Sequence, residues 1–152
     1  MIITRHSFHS TGEPLFSILI PTWNNLPLLQ LCVASIRKNS AFPHQIIVHV
    51  NEGNDGTLEW VKEHQIDYTH STENIGVCYA LNAAAALATT DYIAYMNDDM
   101  YVCPDWDDYL YEEIKACQSE YFFFSSTLTG KTLLDIQDFF SVTIIKSSSF
   151  HF

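Results

Sequence analysis

The stretch GVCYALNAAAALATTDYIAYMNDD, from Gly76 to Asp99, decides the fold. Its first part, Gly76–Thr90, is rich in alanine, which favours a helix and lets that helix lie close to a sheet. The mostly apolar run Asp91–Asn97 then predicts a short buried strand. Two adjacent carboxylates, Asp98 and Asp99, follow directly. Because like charges in contact repel each other, we expect something positive to bind at this turn at least part of the time.

Strand-like and helix-like patterns alternate along most of the chain. Ordinary signals mark the helix ends, such as Pro27 in the first turn of one helix and Arg37 and Lys38 in its last. This order predicts parallel strands joined by right-handed crossovers, with helices on both faces of the sheet. The fold class is therefore α/β, a Rossmann-like, doubly wound and mostly parallel sheet. The predicted strands are residues 15–21, 44–51, 66–71, 91–97 and 120–128, and the predicted helices are residues 26–40, 58–64, 76–90 and 104–118.

Polar residues cluster where four of these strands end. In doubly wound sheets, ligands bind beyond the carboxyl ends of the strands. The fold prediction therefore brings four polar loops together at one edge and predicts a binding site there. These loops are Thr22–Asn25, Asn51–Asp55, Ser71–Gly76 and Asn97–Met100.

Composition excludes several classes of protein. With 152 residues, 47% of them hydrophobic and 16% charged, the chain is long and apolar enough for one folded domain. A formal net charge of −11 disfavours binding to nucleic acid or to anionic lipid. No run approaches the roughly 18 apolar residues of a membrane span, and the first residues lack a signal-peptide pattern. We expect a cytoplasmic protein without an integral membrane segment, at most peripheral to a membrane.

The cysteines and histidines do not suggest a zinc site. The four cysteines form no CxxC pair and are expected to be buried free thiols in a reducing compartment. The histidines show no ligand spacing, and His49, alternating with apolar neighbours, is expected to be a buried, hydrogen-bonded core residue. The segment TGKT at Thr129–Thr132 lacks the first glycine of a phosphate-binding P-loop, since Ser125 stands in its place.

Three segments taken in order resemble the front half of a family 2 glycosyltransferase with the GT-A fold. They are SILIPTWNN, IIVHVNEGNDGT and ENIGVCYALNAAAALATTDYIAYMNDDM. In that family the first strand ends in a P-T/S-x-N turn, and the second ends in an acidic pair before a D-G-T turn. An N-x-G precedes the alanine-rich helix, and the fourth strand ends in a D-x-D-like triplet. The resemblance covers roughly Phe16 to Leu128.

The resemblance implies a nucleotide-diphosphate sugar donor, usually a UDP-sugar, bound with Mn²⁺ or Mg²⁺. The acceptor, whether glycan, lipid or protein, is not specified. By position, the resemblance implies that Pro21, Thr22 and Asn24 line the uridine pocket and that Glu52 contacts the base or the ribose. Asn74 and Gly76 would border the nucleotide. Asp98 and Asp99 would contact the sugar and the metal ion.

Two departures from the family pattern bear on activity. The family commonly has aspartate at the positions of Asn51 and Asn97, so metal affinity is expected to be lower than usual. The family's catalytic base lies in a following acceptor-binding half, and no counterpart is recognisable after Leu128. We therefore expect the fold to be truncated on its C-terminal side, and the catalytic residue is unknown.

We accordingly divide the chain into three parts. Residues 1–14 are expected to be an N-terminal extension, and residues 15–128 the nucleotide-sugar-binding α/β domain. Residues 129–152 form an atypical C-terminal segment with one predicted strand at 139–145. An open sheet edge where the acceptor half would continue would favour a homo-oligomer.

Simpler interpretations stand beside these roles. Asp98 and Asp99 read either as half of a metal site, completed by phosphate oxygens and water, or as a solvated acidic turn. Glu52 and Asp55 are ordinary turn residues in the simplest interpretation, and Trp23 either stacks on a base or packs locally.

At the level of the whole chain, the leading hypothesis is a glycosyltransferase, or its donor-binding half, transferring sugar with inversion. The alternative is a catalytically incomplete nucleotide-binding or structural module. A nucleotidyltransferase would need a Gly-rich basic loop after the first strand, and a receiver domain would need its acidic pair there. PTWNNLP provides neither.

Overall fold

The computed structural model describes residues 2–8, 12–117, 119, 122, 124–125 and 143–146. Strands and helices alternate through the central part of the chain, as predicted. The strands are β1 (Ile3–His6), β2 (Phe16–Trp23), β3 (Gln45–Asn51), β4 (Asp67–Ser71), β5 (Tyr92–Tyr95), β6 (Phe124–Ser125) and β7 (Thr143–Lys146). The helices are α1 (Leu26–Asn39), α2 (Thr57–Glu63), α3 (Gly76–Ala85) and α4 (Trp106–Ala116).

The described strands form one sheet in the order β1-β4-β3-β2-β5-β7-β6. The central four, β4, β3, β2 and β5, are parallel to one another. Antiparallel strands flank them, with β1 beside β4 and β7 beside β5. The predicted mostly parallel α/β sheet is therefore confirmed, and antiparallel strands flank the four parallel strands at both edges.

Alternate residues of β2 face the two sides of the sheet, and both sides are covered. Phe16, Ile18 and Ile20 are fully buried in a core that also contains residues of α1, α2 and α4. Leu19 faces the other side, where it clusters with Ala84 of α3 and apolar residues of β3 and β5. Small alanines let α3 pack closely on the strands. Helices thus cover both faces, as the alternation of elements predicts.

Helix α3 and strand β5 are shorter than predicted. The helix ends at Ala85 rather than Thr90. The residues that follow bond to the sheet instead: the Thr89 amide donates to the Gln45 side chain at 3.0 Å, and the Thr90 hydroxyl donates to the Tyr92 carbonyl at 2.7 Å. Side chain to backbone bonds of this kind compete with helical ones.

The sheet extends on both sides of the 15–128 segment. Ile3–His6, expected to lie in an N-terminal extension, forms β1 and pairs with β4. Thr143–Lys146 forms β7, inserted between β5 and β6. The strand predicted at 120–128 is described only at Phe122 and at Phe124–Ser125, and the latter pair, β6, is not adjacent to β5. The TGKT segment and residues 139–142 lie outside the described part of the chain.

Two further sequence predictions concern the cysteines and the membrane. All four cysteines are free, as expected, but the prediction that they are buried is wrong for Cys78 and Cys103, which are exposed. Cys78 lies in the first turn of α3, and Cys103 precedes α4. Within the described residues, no helix combines the length and the apolar character needed to cross a membrane.

Candidate functional site

A cavity of about 520 Å³ opens at the carboxyl ends of the four parallel strands. Each of the four predicted loops contributes to it, so the four polar segments, which are far apart in the sequence, lie together in space. The cavity is lined by Pro21, Thr22, Trp23, Asn24, Asn25, Asn51, Asn74, Gly76, Val77, Asn97 and Asp98.

A hydrogen bond joins the ends of β2 and β5 at the floor of the cavity. The Thr22 hydroxyl donates to Asp98 Oδ2 at 2.6 Å. Thr22 is 3% exposed, so this bond holds the carboxylate from the protein side. The sequence separation of 76 residues shows that the fold, not local sequence, creates the pair.

Asn51, the last residue of β3, connects three elements beneath the cavity. Its Nδ2 donates to the Thr22 carbonyl at 3.2 Å, and its Oδ1 accepts from the Ile75 amide at 3.0 Å. A backbone carbonyl only accepts and an amide only donates, so the orientation of the side chain is fixed. An ionised aspartate would place a second acceptor against the Thr22 carbonyl. The asparagine therefore suits its neighbours, and its role here is structural.

His49 is fully buried below Asn51, as predicted. Its ring bonds to the Thr69 hydroxyl at 2.7 Å and to the Ser71 hydroxyl at 3.2 Å. Burial lowers the pKa of His49 to about 4, so the ring is neutral at physiological pH.

Glu52 and Asn24 form a second polar contact at the rim. Both have positive φ, 61° for Glu52 and 49° for Asn24. Asn24 Nδ2 donates to Glu52 Oε2 at 3.2 Å, and Asn24 Oδ1 accepts from the Asn54 amide at 2.9 Å. The contact holds the Glu52 carboxylate beside the cavity, although Glu52 is not among the residues that line it.

Asp55 plays the turn role favoured by the simpler interpretation. Its carboxylate accepts from the Leu26 amide at 2.8 Å and from the amide and hydroxyl of Thr57. Partial burial raises the pKa of Asp55, but the donors from Thr57 and Leu26 outweigh it and hold the pKa below its ordinary value. Asp55 thus fastens the beginnings of α1 and α2.

The beginning of α3 borders the cavity from the side of β4. Gly76 has φ of +75°, a conformation that glycine adopts at little cost. The Gly76 amide donates to Asn74 Oδ1 at 2.9 Å, which closes a tight turn before the helix. The positive end of the α3 dipole therefore lies at the cavity, where it favours an anion.

The electrostatics of the cavity are set by Asp98. Burial raises the pKa of Asp98, while the bonds from Thr22 and Asn25 lower it and neighbouring Asp99 raises it. Among the described residues, the Lys115–Glu112 ion pair and the hydrogen bond between His44 and Asp107 do not involve this turn. No lysine or arginine is among the described residues that line the cavity. An anionic ligand would therefore meet a carboxylate without a compensating side chain.

The donor set of the acidic turn fits a divalent cation that brings most of its own ligands. Asp98 lines the cavity, and Asp99 is exposed beside it. Mg²⁺ and Mn²⁺ take oxygen ligands, and Mg²⁺ in particular is bound through one or two carboxylates, substrate phosphates and water. The described residues contain no group of three His, Cys, Asp or Glu side chains able to hold a metal ion alone.

Two residues beneath the acidic turn complete the site. The Tyr95 hydroxyl donates to Asn97 Oδ1, so the side-chain oxygen of that asparagine has a partner within the protein. Cys32 of α1 lies fully buried below the turn, with its Sγ donating to the Asn97 carbonyl at 3.5 Å. Burial, together with the charge of Asp98, raises the pKa of the Cys32 thiol to about 12.

Six of the predicted site residues line the cavity, and two lie beside it. Glu52 is held at the rim, and Asp99 is exposed next to Asp98. Residues without an assigned role before, above all Asn25 and Val77, also line it; Asn25 ends one predicted loop, and Val77 directly follows another. Trp23 is 56% exposed at the cavity, an arrangement that suits stacking better than packing. The six are Pro21, Thr22, Asn24, Asn74, Gly76 and Asp98.

Comparison with known proteins identifies the family of this chain. The family model for glycosyl transferase family 2 matches residues 17–131, more than half of the chain. The chain therefore belongs to that family. One relative is the putative colanic acid biosynthesis glycosyl transferase WcaA of Escherichia coli K12, 28% identical over 97 residues, which are 58% of this chain and 33% of WcaA.

Solved structures share the fold. TarS of S. aureus (residues 1–349) in complex with UDP has a TM-score of 0.65 at 16% identity, covering 88% of this chain and 47% of TarS. The mannosyltransferase PcManGT of Pyrobaculum calidifontis, in complex with GDP-Man and Mn²⁺, has a TM-score of 0.60 at 22% identity, covering 80% and 37%. The chain spans between 11% and 33% of the curated relatives it matches.

Proposed function

We propose that this chain binds the nucleotide-diphosphate sugar donor of a metal-dependent glycosyltransferase acting in the cytoplasm. The observation that carries the proposal is the cavity at the carboxyl ends of the parallel strands. It joins a carboxylate, an acidic neighbour and the beginning of a helix, and no basic side chain is among the described residues that line it. A diphosphate fits such a cavity when a divalent cation, together with the positive end of α3, offsets the repulsion from the carboxylates.

The positions of the side chains suggest where each part of the donor lies. Asp98 and Asp99 would hold the cation at the end of β5, with the diphosphate between them and the beginning of α3. The nucleoside would then extend along the strand ends, past Thr22 towards Asn24 and Glu52. Trp23, exposed at the rim, offers a flat apolar surface for the base. UDP is the favoured nucleotide, since UDP is bound by TarS, a structure with the same fold.

In sugar transfer at this site, the nucleotide diphosphate would be the leaving group and would develop negative charge. A bound divalent cation supplies Lewis-acid stabilisation of that charge. The chain's part is to fix the carboxylates: Thr22 holds Asp98 through its hydroxyl, and Asn25 adds a second bond. Inversion at the sugar would need a base that deprotonates the acceptor hydroxyl. None of the described residues is assigned to that role.

A second candidate function is a nucleotide-binding module that does not transfer sugar. Asp98 is the only carboxylate among the described residues that line the cavity, and a carboxylate committed to a metal cannot also act as base. Release of UDP from a UDP-sugar, measured with and without candidate acceptors, distinguishes the two. Turnover favours the transferase, and tight binding without turnover favours the module.

Thermal melting with UDP, GDP and CDP, each with Mn²⁺ or with EDTA, tests the proposal. A nucleotide at one hundred times its dissociation constant stabilises the folded state by about 2.7 kcal/mol. We expect the largest shift with UDP and Mn²⁺, and a much smaller one in EDTA. If no nucleotide shifts the melting temperature in a metal-dependent way, the proposal fails.

A further inference from the structure

The buried face of α1 carries a polar stripe that does not touch the cavity. Cys32, Ser35 and Asn39 follow one another at helical spacing on the side of α1 that faces the chain after β5. Cys32 and Ser35 are almost completely buried. Polar side chains in such a position cost stability unless they are bonded, so their partners show what they do.

Both backbone polar groups of Val102, which lies between β5 and α4, form hydrogen bonds with side chains of this stripe. The Val102 amide donates to Ser35 Oγ at 3.1 Å, and the Val102 carbonyl accepts from Asn39 Nδ2 at 2.7 Å. The Ser35 hydroxyl hydrogen donates to the Cys32 carbonyl at 2.8 Å, which leaves its lone pairs for Val102. The side chains of α1 thus replace a neighbouring strand as hydrogen-bond partners.

Contacts on either side of Val102 extend the attachment. Before it, Cys32 Sγ donates to the Asn97 carbonyl, and after it the Asp105 amide donates to the Asn39 carbonyl at 2.8 Å. Trp106 Nε1 then donates to Ser40 Oγ at 2.9 Å. The chain between β5 and α4 has no regular secondary structure, yet it is tied to one helix from end to end.

Asp98 and Asp99 lie inside this attached segment. Thr22 fixes Asp98 directly, but Asp99 is exposed, and its placement follows from the backbone that leads into and out of the turn. That backbone is held by Ser35 and Asn39. Groups that orient metal ligands without touching the metal typically change its affinity by about 10- to 100-fold when removed.

We propose that Ser35 and Asn39 are positioning residues, which set the geometry of the acidic turn for a divalent cation. The proposal rests on the proposed function, because it assumes that Asp98 and Asp99 bind that cation together with a nucleotide diphosphate. It adds residues that lie outside the cavity and on a different element.

The test compares Ser35→Ala with Ser17→Ala, a matched control at the opposite end of the sheet. Both serines are buried and both accept hydrogen bonds from backbone amides, Val102 in one case and Thr89 and Thr90 in the other. Both variants are expected to unfold at lower urea concentration by similar amounts. Only Ser35→Ala is expected to bind Mn²⁺ about tenfold more weakly in saturating UDP, as titrated by calorimetry.

Two additional measurements keep the test decisive. Asn39→Ala removes a half-buried side chain and replaces Ser35→Ala in the titration if that variant does not fold. The Mn²⁺ affinity of Asn39→Ala is expected to fall as well. Hydrogen exchange of the Val102 amide is expected to accelerate in Ser35→Ala and to stay unchanged in Ser17→Ala.

The outcomes separate the two proposals. If the folded variants at positions 35, 39 and 17 all bind Mn²⁺ as tightly as the unchanged protein, the positioning role is overturned while the donor site stands. An equal loss in Ser17→Ala and Ser35→Ala also overturns it, because a general loss of stability then explains the effect. If the unchanged protein itself shows no Mn²⁺-dependent UDP binding, both proposals fail.

Discussion

The two ends of the parallel strands are both polar, but they are built for opposite purposes. At the amino ends, Ser17, Gln45 and Asp67 form a buried network in which each side chain bonds to another or to backbone. Gln45 also bonds to the Leu87 carbonyl and the Thr89 amide. At the carboxyl ends, the polar side chains are held by hydrogen bonds within the protein and also face the cavity.

The contrast shows how position separates stability from binding. A closed polar network inside a protein contributes to a unique fold and leaves nothing for a ligand. Polar groups that line an open cavity lose part of their hydration without gaining a full set of hydrogen bonds in return. The raised pKa of Asp98, caused mainly by burial, reflects this unfavourable free energy. Changes at the amino ends should therefore alter folding alone, whereas changes at the carboxyl ends should alter binding first.

The largest effect is expected from breaking the closed end. Gln45→Leu removes the partner of Asp67, of the Leu87 carbonyl and of the Thr89 amide. Leaving several buried groups unbonded should lower the free energy of unfolding by about 3 kcal/mol, as measured in urea. The dissociation constant for UDP with Mn²⁺ should stay the same in the folded fraction. A weaker affinity would show that the two ends are coupled.

Asp99→Ala is the matching change at the open end. The exposed carboxylate has no recorded structural partner among the described residues, so the unliganded protein should keep its stability within about 0.5 kcal/mol. The stabilisation of about 2.7 kcal/mol by UDP and Mn²⁺ at one hundred times the dissociation constant should disappear. Thermal melting checks both. An unchanged ligand shift would remove Asp99 from the metal role.

Two glycines at the open end sharpen the comparison further. Gly53 and Gly76 both have positive φ, so an alanine at either position is strained by about 1 kcal/mol. An added Cβ at Gly53 would also lie 2.8 Å from Val50 Cγ1, whereas at Gly76 it would meet nothing within 4 Å. Gly53→Ala should therefore unfold at clearly lower urea concentration than Gly76→Ala. Equal midpoints would contradict the steric argument.

The smallest effect concerns the charge of Asp98. Its folded-state pKa is raised above the unfolded value, so the stability it contributes is full below that unfolded pKa and is lost as pH rises through the folded pKa. Asp98→Asn, without the charge, should be more stable at pH 7 in EDTA, by less than about 1 kcal/mol after solvent screening. The two proteins should converge near pH 3. A variant less stable at pH 7 would show that the charge is favourable.

Much of the fold is readable from sequence because its signals are local. The alanine-rich run predicts α3, and the apolar runs predict the parallel strands, since hydrophobic periodicity depends only on neighbours. What sequence missed depends on distant pairing. The short segment Ile3–His6 becomes a strand only because β4 has a free edge. A strand was predicted at 139–145, but its place between β5 and β6 was not, because that place depends on distant pairing.

The site shows the same division. The polar loops are visible because each follows an apolar run, so Thr22, Asn74 and Asp98 were found. Ser35 was not, because it falls within the apolar stripe of α1 and resembles a core position. Only a three-dimensional neighbour, Val102, reveals its function as an acceptor. A serine inside an apolar helical stripe is the signal that would have identified it.

The buried thiol below the acidic turn makes this region observable in solution. With its pKa near 12 and its side chain shielded, Cys32 should resist alkylation as long as α1 and the turn stay together. Cys78 and Cys103 are exposed and should react at once. The lag before Cys32 is modified, read by mass spectrometry, would therefore time the opening of the segment that bears the two aspartates, with no added label or engineered probe.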